Sequence, residues 1–182
     1  MITSRQHSMH QVHPIEPKAL RQVCGLFPTG VAVITTEAEG HAAGTTVNSF
    51  TSVSLEPPLV LFCLHMQSRL LPMLSKSGSF AVNLLSGRQE FVARSFAGKH
   101  TATVHDHAHH HSAEGVPILS DALAFLSCTI VDQFTGGDHA IVLGEVVELG
   151  IPERGPEPLV FFNGSFGAVE GEHRAFHPIW DG

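Results

Sequence analysis

One stretch of the chain is crowded with hydrogen-bonding side chains. Across Gly44-Thr45-Thr46-Val47-Asn48-Ser49-Phe50-Thr51-Ser52-Val53-Ser54, seven of eleven residues carry a hydroxyl or an amide. Threonine favours strands and tolerates solvent, so a Thr-rich edge strand is one account of it. The other is a row of donors facing a polar ligand edge, such as a pyrimidine-like ring offering carbonyls and ring nitrogens. His139 follows Gly136-Gly137-Asp138 and opens an apolar run, which fits either a hydrogen-bonded turn histidine or a ligand contact. Arg69, next to Ser68, is a guanidinium fork able to hold a phosphate bidentately. The run His105-Asp106-His107-Ala108-His109-His110-His111 is dense enough in imidazole to take up Zn²⁺ or Ni²⁺ adventitiously. A specific site needs fixed geometry and partners that orient the ligands, and this segment has no apolar anchors. No metal is assigned to it.

The better-known cradles are missing. No GxGxxG follows a strand and no GxxxxGK[ST] occurs, which argues against a Rossmann site or a P-loop. Neither a GxSxG elbow nor an HExxH pair is found.

The elements that must position these residues follow from periodicity and turn chemistry. Glu16 to Leu26 is expected to be helical, with Leu20, Val23 and Cys24 on its apolar side. Phe27-Pro28-Thr29-Gly30 ends it, and Val31 to Thr36 is a strand by β-branched content. Glu39-Gly40 turns into a second strand, about Ala42 to Phe50. Pro57-Pro58 closes a loop and delivers the buried strand Leu59 to Leu64. Ser68 to Ser77 is helical, with Pro72 tolerable in its first turn. Phe80 to Leu85 is a strand, and Arg88 to Phe96 a short helix turning Phe91, Val92 and Phe96 inward. Periodicity vanishes between Ala97 and Gly115, which is read as a long loop. Strands at Ala124–Phe134 and His139–Leu149 follow, then Leu159–Phe162 and a Gly-rich tail. Six or more strands with only short helices point to a mainly β fold, closed as a barrel rather than laid out as a βαβ sheet.

Composition narrows the partners. The formal net charge of -7 provides no basic stripe for nucleic acid or an anionic membrane. A small anionic ligand remains compatible, since a few backbone N–H groups and side chains suffice for a phosphate. Cys24, Cys63 and Cys128 form no CxxC pair and suit reduced thiols. Met1 to Pro14 is polar, without the apolar segment of a signal peptide, and reads as an arm over 1–14 preceding one domain at 15–182. A cytoplasmic location is expected.

Several stretches, in order, carry a resemblance: Phe27 to Thr36, Gly44 to Pro58, Ser68-Arg69, Phe80 to Leu85 and Phe96-Ala97-Gly98. Gly115-Val116-Pro117-Ile118-Leu119, Gly137-Asp138-His139 and Pro158 to Gly164 complete the series. Together they resemble the flavin reductase-like family of the FMN-binding split β-barrel, a Greek-key-like fold. This family includes the small reductase components of two-component flavin-dependent monooxygenases.

The resemblance implies transfer of a hydride from NADH to FMN or FAD, with reduced flavin passing by diffusion to a separate monooxygenase. It implies a homodimer with the flavin pocket at its interface. Thr45, Thr46, Val47, Asn48 and Ser49 would line the flavin ring, with Thr29 nearby. Ser52, Ser54, Ser68 and Arg69 would serve the ribityl chain and phosphate, and Phe96 and Ala97 fall in another cofactor-side stretch. His139 would face the nicotinamide side, with Phe162 and Asn163 in the same region. The family often has a hydroxyl directly after the Ser-Arg pair, where this chain has Leu70, so FMN and FAD both stay open. It often has a basic residue after the last aromatic, where this chain has Asn163; this favours NADH, with NADPH possible as the alternative. Hydride transfer needs two stacked rings at about 3–3.5 Å and little acid–base help. Backbone N–H groups at Thr45–Ser49 would stabilise the charge that develops. Two other readings differ in class: a split barrel that keeps its flavin as an electron carrier, and a non-enzymatic metal-binding or sensory module built on the His-rich loop, which otherwise fits a lid.

Overall fold

The computed structural model describes residues 14–98, 103–152 and 156–169. The chain begins with helix α1 (Pro17–Gly25) and the short strand β1 (Thr29–Gly30). A hairpin of β2 (Ala32–Ala38) and β3 (His41–Val47) comes next, then β4 (Thr51–Leu55) and β5 (Pro58–His65). Helix α2 (Leu70–Ser77), strand β6 (Ser79–Leu84) and helix α3 (Glu90–Ala97) follow. A 3₁₀ turn at Val104–Asp106 leads to β7 (His109–His111) and β8 (Pro117–Leu119). The long strands β9 (Ala124–Gly136) and β10 (His139–Gly150) precede a final hairpin of β11 (Leu159–Phe162) and β12 (Ser165–Ala168).

Seven strands form one antiparallel sheet in the order β3-β2-β6-β9-β10-β5-β4. Its two edges, β3 and β4, are consecutive in the chain, so the sheet curls to bring them together. The short Asn48-Ser49-Phe50 link makes the seam, and the Ser49 hydroxyl bonds both backbone groups of Cys63 on β5, at 3.0 and 3.1 Å. This is a split barrel, as expected.

Alternation fills the interior. Ala32 and Ile34, Val60, Phe62 and Leu64, Phe80 and Val82, Cys128 and Val142 are alternate residues of five strands, and all are buried in one cluster. Helix α2 plugs this cluster with Leu70 and Leu74. Burying a side chain such as Leu74 or Phe62 contributes about 1.5–3 kcal/mol. On the outer face, Val33 joins Val31, Leu85, Ala93, Phe96, Leu119 and Leu159 in a second cluster beneath α3.

Several elements differ from the sequence reading. The Gly44–Ser54 stretch is not one strand: it ends β3, crosses the seam and begins β4 on the opposite edge. The segment from Thr51 to Leu55, ahead of the prolines, is thus paired strand rather than loop. Helix α3 turns Phe96 and Ala93 inward, but Phe91 is 77% exposed. The helix begins at Glu90, and this phase leaves Phe91 outside. The long loop contains the 3₁₀ turn and strand β7, whose partner β8 shares with it a hairpin bound to the barrel by buried polar groups. Thr35 Oγ1 donates to the Pro117 carbonyl, and Asn83 Oδ1 accepts from Leu119 N–H at 2.8 Å. Apolar anchors are present as well, contrary to the sequence reading: Val104 and Leu119 are buried in the second cluster, and Val116 and Ile118 pack on Ala81. The tail beyond Asn163-Gly164 pairs back as β12. Helix α1 forms as expected but buries none of its residues. The expected N-terminal arm, apart from Pro14, lies outside the described residues.

Candidate functional site

A cleft of about 350 Å³ opens beside the seam, lined by Thr45, Thr46, Val47, Asn48, Ser49, Cys63, Leu64, His65, Ser68 and His139. This volume lies in the range of small-molecule sites, about 300–1,000 Å³. One wall is the end of β3 and the seam. As an edge strand among the described residues, β3 presents backbone N–H and C=O groups on its outer side. The opposite wall comes from β5, the turn into α2, and the start of β10.

The side chains of the first wall divide their roles. Thr46 Oγ1 donates to the Ala93 carbonyl in α3 at 2.7 Å, which ties β3 to the helix and leaves its backbone for the cleft. Val47 belongs to the barrel core, so it too contributes chiefly its backbone. Ser49 is engaged with Cys63. Asn48 is exposed and its Nδ2 donates to Thr29 Oγ1 at 3.3 Å, joining β1 to the rim. The wall is therefore a rigid array of backbone and hydroxyl groups, preorganised by bonds to α3 and β5.

The second wall carries the ionisable groups. Gly137 (φ +70°) permits the tight β9–β10 turn that leads into Asp138 and His139. His139 Nδ1 donates to the Asp138 carboxylate at 2.7 Å. That hydrogen bond, reinforced by the attraction of His139, holds the Asp138 carboxyl below its ordinary value. His139 lies directly opposite His65 in the β5–β10 register. Their rings meet edge to face at 5.3 Å. Burial pushes the Cys63 thiol up, so the cleft contains no thiolate at neutral pH. Ser68 Oγ accepts from Leu70 N–H at 3.3 Å at the entrance to α2, where Arg69 stands exposed. Arg69 forms no salt bridge among the described residues.

Of the residues singled out from the sequence, Thr45 to Ser49, Ser68 and His139 meet in this cleft, with Thr29 and Arg69 adjoining. Others stand apart in the single chain. Ser52 and Ser54 are on β4, where Ser54 Oγ accepts from Glu56 N–H. Phe96, 4% exposed, is core behind β3 and packs on the His107 ring at 5.0 Å, while Ala97 is exposed at the end of α3. Phe162 is exposed on β11, outside the cleft wall. Cys63, Leu64 and His65 are the cleft residues that sequence reasoning missed. Cys63 and Leu64 ended an apolar run that signalled only a buried strand, and His65 follows it directly.

Among the described residues, no three His, Cys, Asp or Glu side chains converge in an arrangement that could hold a metal ion. His111 pairs with Glu37 at 3.0 Å, and His105, His109 and His111 stack edge to face along the hairpin. No helix among the described residues is long and apolar enough to cross a membrane.

The family model described as "Flavin reductase like domain" matches residues 24–170. The reductase subunit HsaB of a flavin-dependent monooxygenase from Mycobacterium tuberculosis is 38% identical over 159 residues, covering 87% of this chain and 85% of that protein. An NADH-dependent flavin reductase from a Rhodococcus species is 38% identical over 86% of this chain and 88% of its own length. The structure of the NADH:FAD oxidoreductase SgcE6 of Streptomyces globisporus, in complex with NAD and FAD fragments, superposes with a TM-score of 0.78. It is 37% identical, covering 93% of this chain and 100% of that one.

Proposed function

Because this chain belongs to the flavin reductase like domain family, we propose that its cleft brings NADH and a flavin together and reduces the flavin by hydride transfer. The observation that carries this reading is the meeting of the Thr45–Ser49 wall with Ser68 and His139 across the barrel seam. The donor set fits the ligand: a flavin ring presents carbonyls and nitrogens, and the wall presents backbone N–H groups and hydroxyls. When bound, the flavin accepts the hydride that the reduced nicotinamide gives up. The protein's own residues bind, orient and stabilise. Backbone donors of Thr45 to Ser49 would stabilise the negative charge that develops on the ring. Ser68 and Arg69 serve the phosphate, with Thr29 supporting Asn48. His139 positions the nicotinamide. FMN and FAD both remain candidates.

The same reading makes the chain the reductase component of a two-component monooxygenase, working in the cytoplasm where NADH is supplied. The HsaB relative is such a subunit by name. Residues 15–182 form one domain in this reading. The second copy of a homodimer would cover α1, whose Leu20 and Val23 are 56% and 68% exposed despite lying on an apolar stripe. It would also bring Phe162, Ser52 and Ser54 into reach of a shared pocket.

Anaerobic stopped-flow mixing tests the reading. With protein, NADH and either flavin, the oxidised-flavin absorbance should bleach far faster than without protein. Equal rates with and without protein would refute it.

A further inference from the structure

Two imidazoles at the cleft are held in opposite tautomers, because each has a partner with only one possible role. The Gln67 backbone N–H can only donate, and it donates to His65 Nδ1 at 3.1 Å. The ring proton of His65 is therefore on Nε2. The Asp138 carboxylate can only accept, and it takes the His139 Nδ1–H at 2.7 Å. In the neutral ring, His139 Nε2 then carries a lone pair. Among the described residues no hydrogen bond engages either Nε2. The two rings are cross-strand neighbours, touch at 5.3 Å and line the same cleft. One offers a donor and the other an acceptor at the same cleft.

We propose that this pair reads the carboxamide of the nicotinamide ring, with His65 Nε2–H donating to its carbonyl and His139 Nε2 accepting from its amide N–H. A primary carboxamide is the group of that ring that presents an acceptor and a donor together. A phosphate or a carboxylate, which only accepts, would satisfy His65 and leave His139 unmatched. An ammonium would do the reverse. His65 thereby becomes a specificity-determining residue beside His139, and the Asp138 and Gln67 contacts become the devices that fix which nitrogen does what. The inference rests on the reading of the cleft as a nicotinamide site.

The test uses dinucleotides altered at the carboxamide alone. NAD⁺, its 3-acetylpyridine analogue (no N–H) and its thionicotinamide analogue (a weak acceptor) are titrated calorimetrically into the full chain. The pH is the same in every titration. Wild type should bind NAD⁺ about three- to tenfold more tightly than either analogue, the worth of one hydrogen bond. His139→Phe should abolish the preference over the acetylpyridine analogue only, and His65→Phe the preference over the thio analogue only. Phenylalanine keeps the ring contact in both variants. KM values for the reduced dinucleotides should follow the same pattern. Equal binding of all three by wild type overturns the inference, whether or not the variants fold. So do preferences that survive unchanged in both variants. If wild type oxidises NADH rapidly with a flavin but shows flat analogue binding, the inference alone falls. If it oxidises no NADH with any flavin, the reductase reading falls and takes the inference with it.

Discussion

His139 is the residue at which sequence and structure say the most about each other. Its position after a Gly-Gly-Asp turn was visible in the chain; its carboxylate partner and its ring neighbour were not. His139→Ala should raise the KM for NADH roughly tenfold, with kcat changed by less than about threefold, as expected when positioning is lost and the chemistry is retained. Steady-state kinetics with varied NADH check this, and a total loss of turnover would contradict it. Asp138 yields a pH prediction. Its carboxyl is held below the ordinary value by the His139 hydrogen bond and by the attraction of that ring. The contribution of this contact is therefore complete above the unfolded value near pH 3.9, and disappears as pH falls through the lowered folded value. Asp138→Asn should lower stability by a constant amount above about pH 5, and this difference from wild type should shrink as pH falls through the acid range. Equal stability of variant and wild type at neutral pH would mean that the contact contributes nothing to the fold. The Cys128 thiol, pushed up to about 12 by burial, is inert packing in the barrel.

At the level of elements, the barrel depends on close approach across its interior. A Cβ on Gly144 of β10 would stand 2.5 Å from Phe80 Cζ, and Phe80 is fully buried against Phe62. The β9–β10 register shifts between Leu143 and Gly144, where the strand bends. Gly144→Ala should thus cost about 1–3 kcal/mol by overpacking, read as a lowered thermal midpoint. An unchanged midpoint would mean that the ring is free to move. The elements legible in the sequence were those with local signals: β2, β5, β6, β9 and β10 by apolar and β-branched runs, and α2 by its leucines. Two kinds of feature escaped. Strand β7 is built of histidines, and only its pairing with β8 and the Asn83 and Thr35 bonds make it a strand. The cleft roles of Cys63, Leu64 and His65 depend on register, since His65 and His139 are neighbours only because β5 and β10 pair in one particular way. No window of sequence contains that fact. The polar stretch at Gly44–Ser54 was recognised as a site, but its division between two sheet edges follows from barrel closure.

For the molecule as a whole, the unsolved surface is around α1. Leu20 and Val23, expected on its apolar side, are exposed, as are Leu26 and Phe27. The proposed homodimer would cover these exposed apolar side chains. In solution the protein should run at twice the 19.5 kDa chain mass by light scattering after size exclusion, and Val23→Glu should shift it toward the monomer. A wild-type monomer at micromolar concentration would refute the dimer. The central claim is tested most directly by one measurement: NADH consumption by the purified protein in air as free FMN or FAD is varied. The account predicts rapid turnover that saturates with added flavin, more strongly for one flavin than the other. No flavin-dependent consumption with either would contradict it.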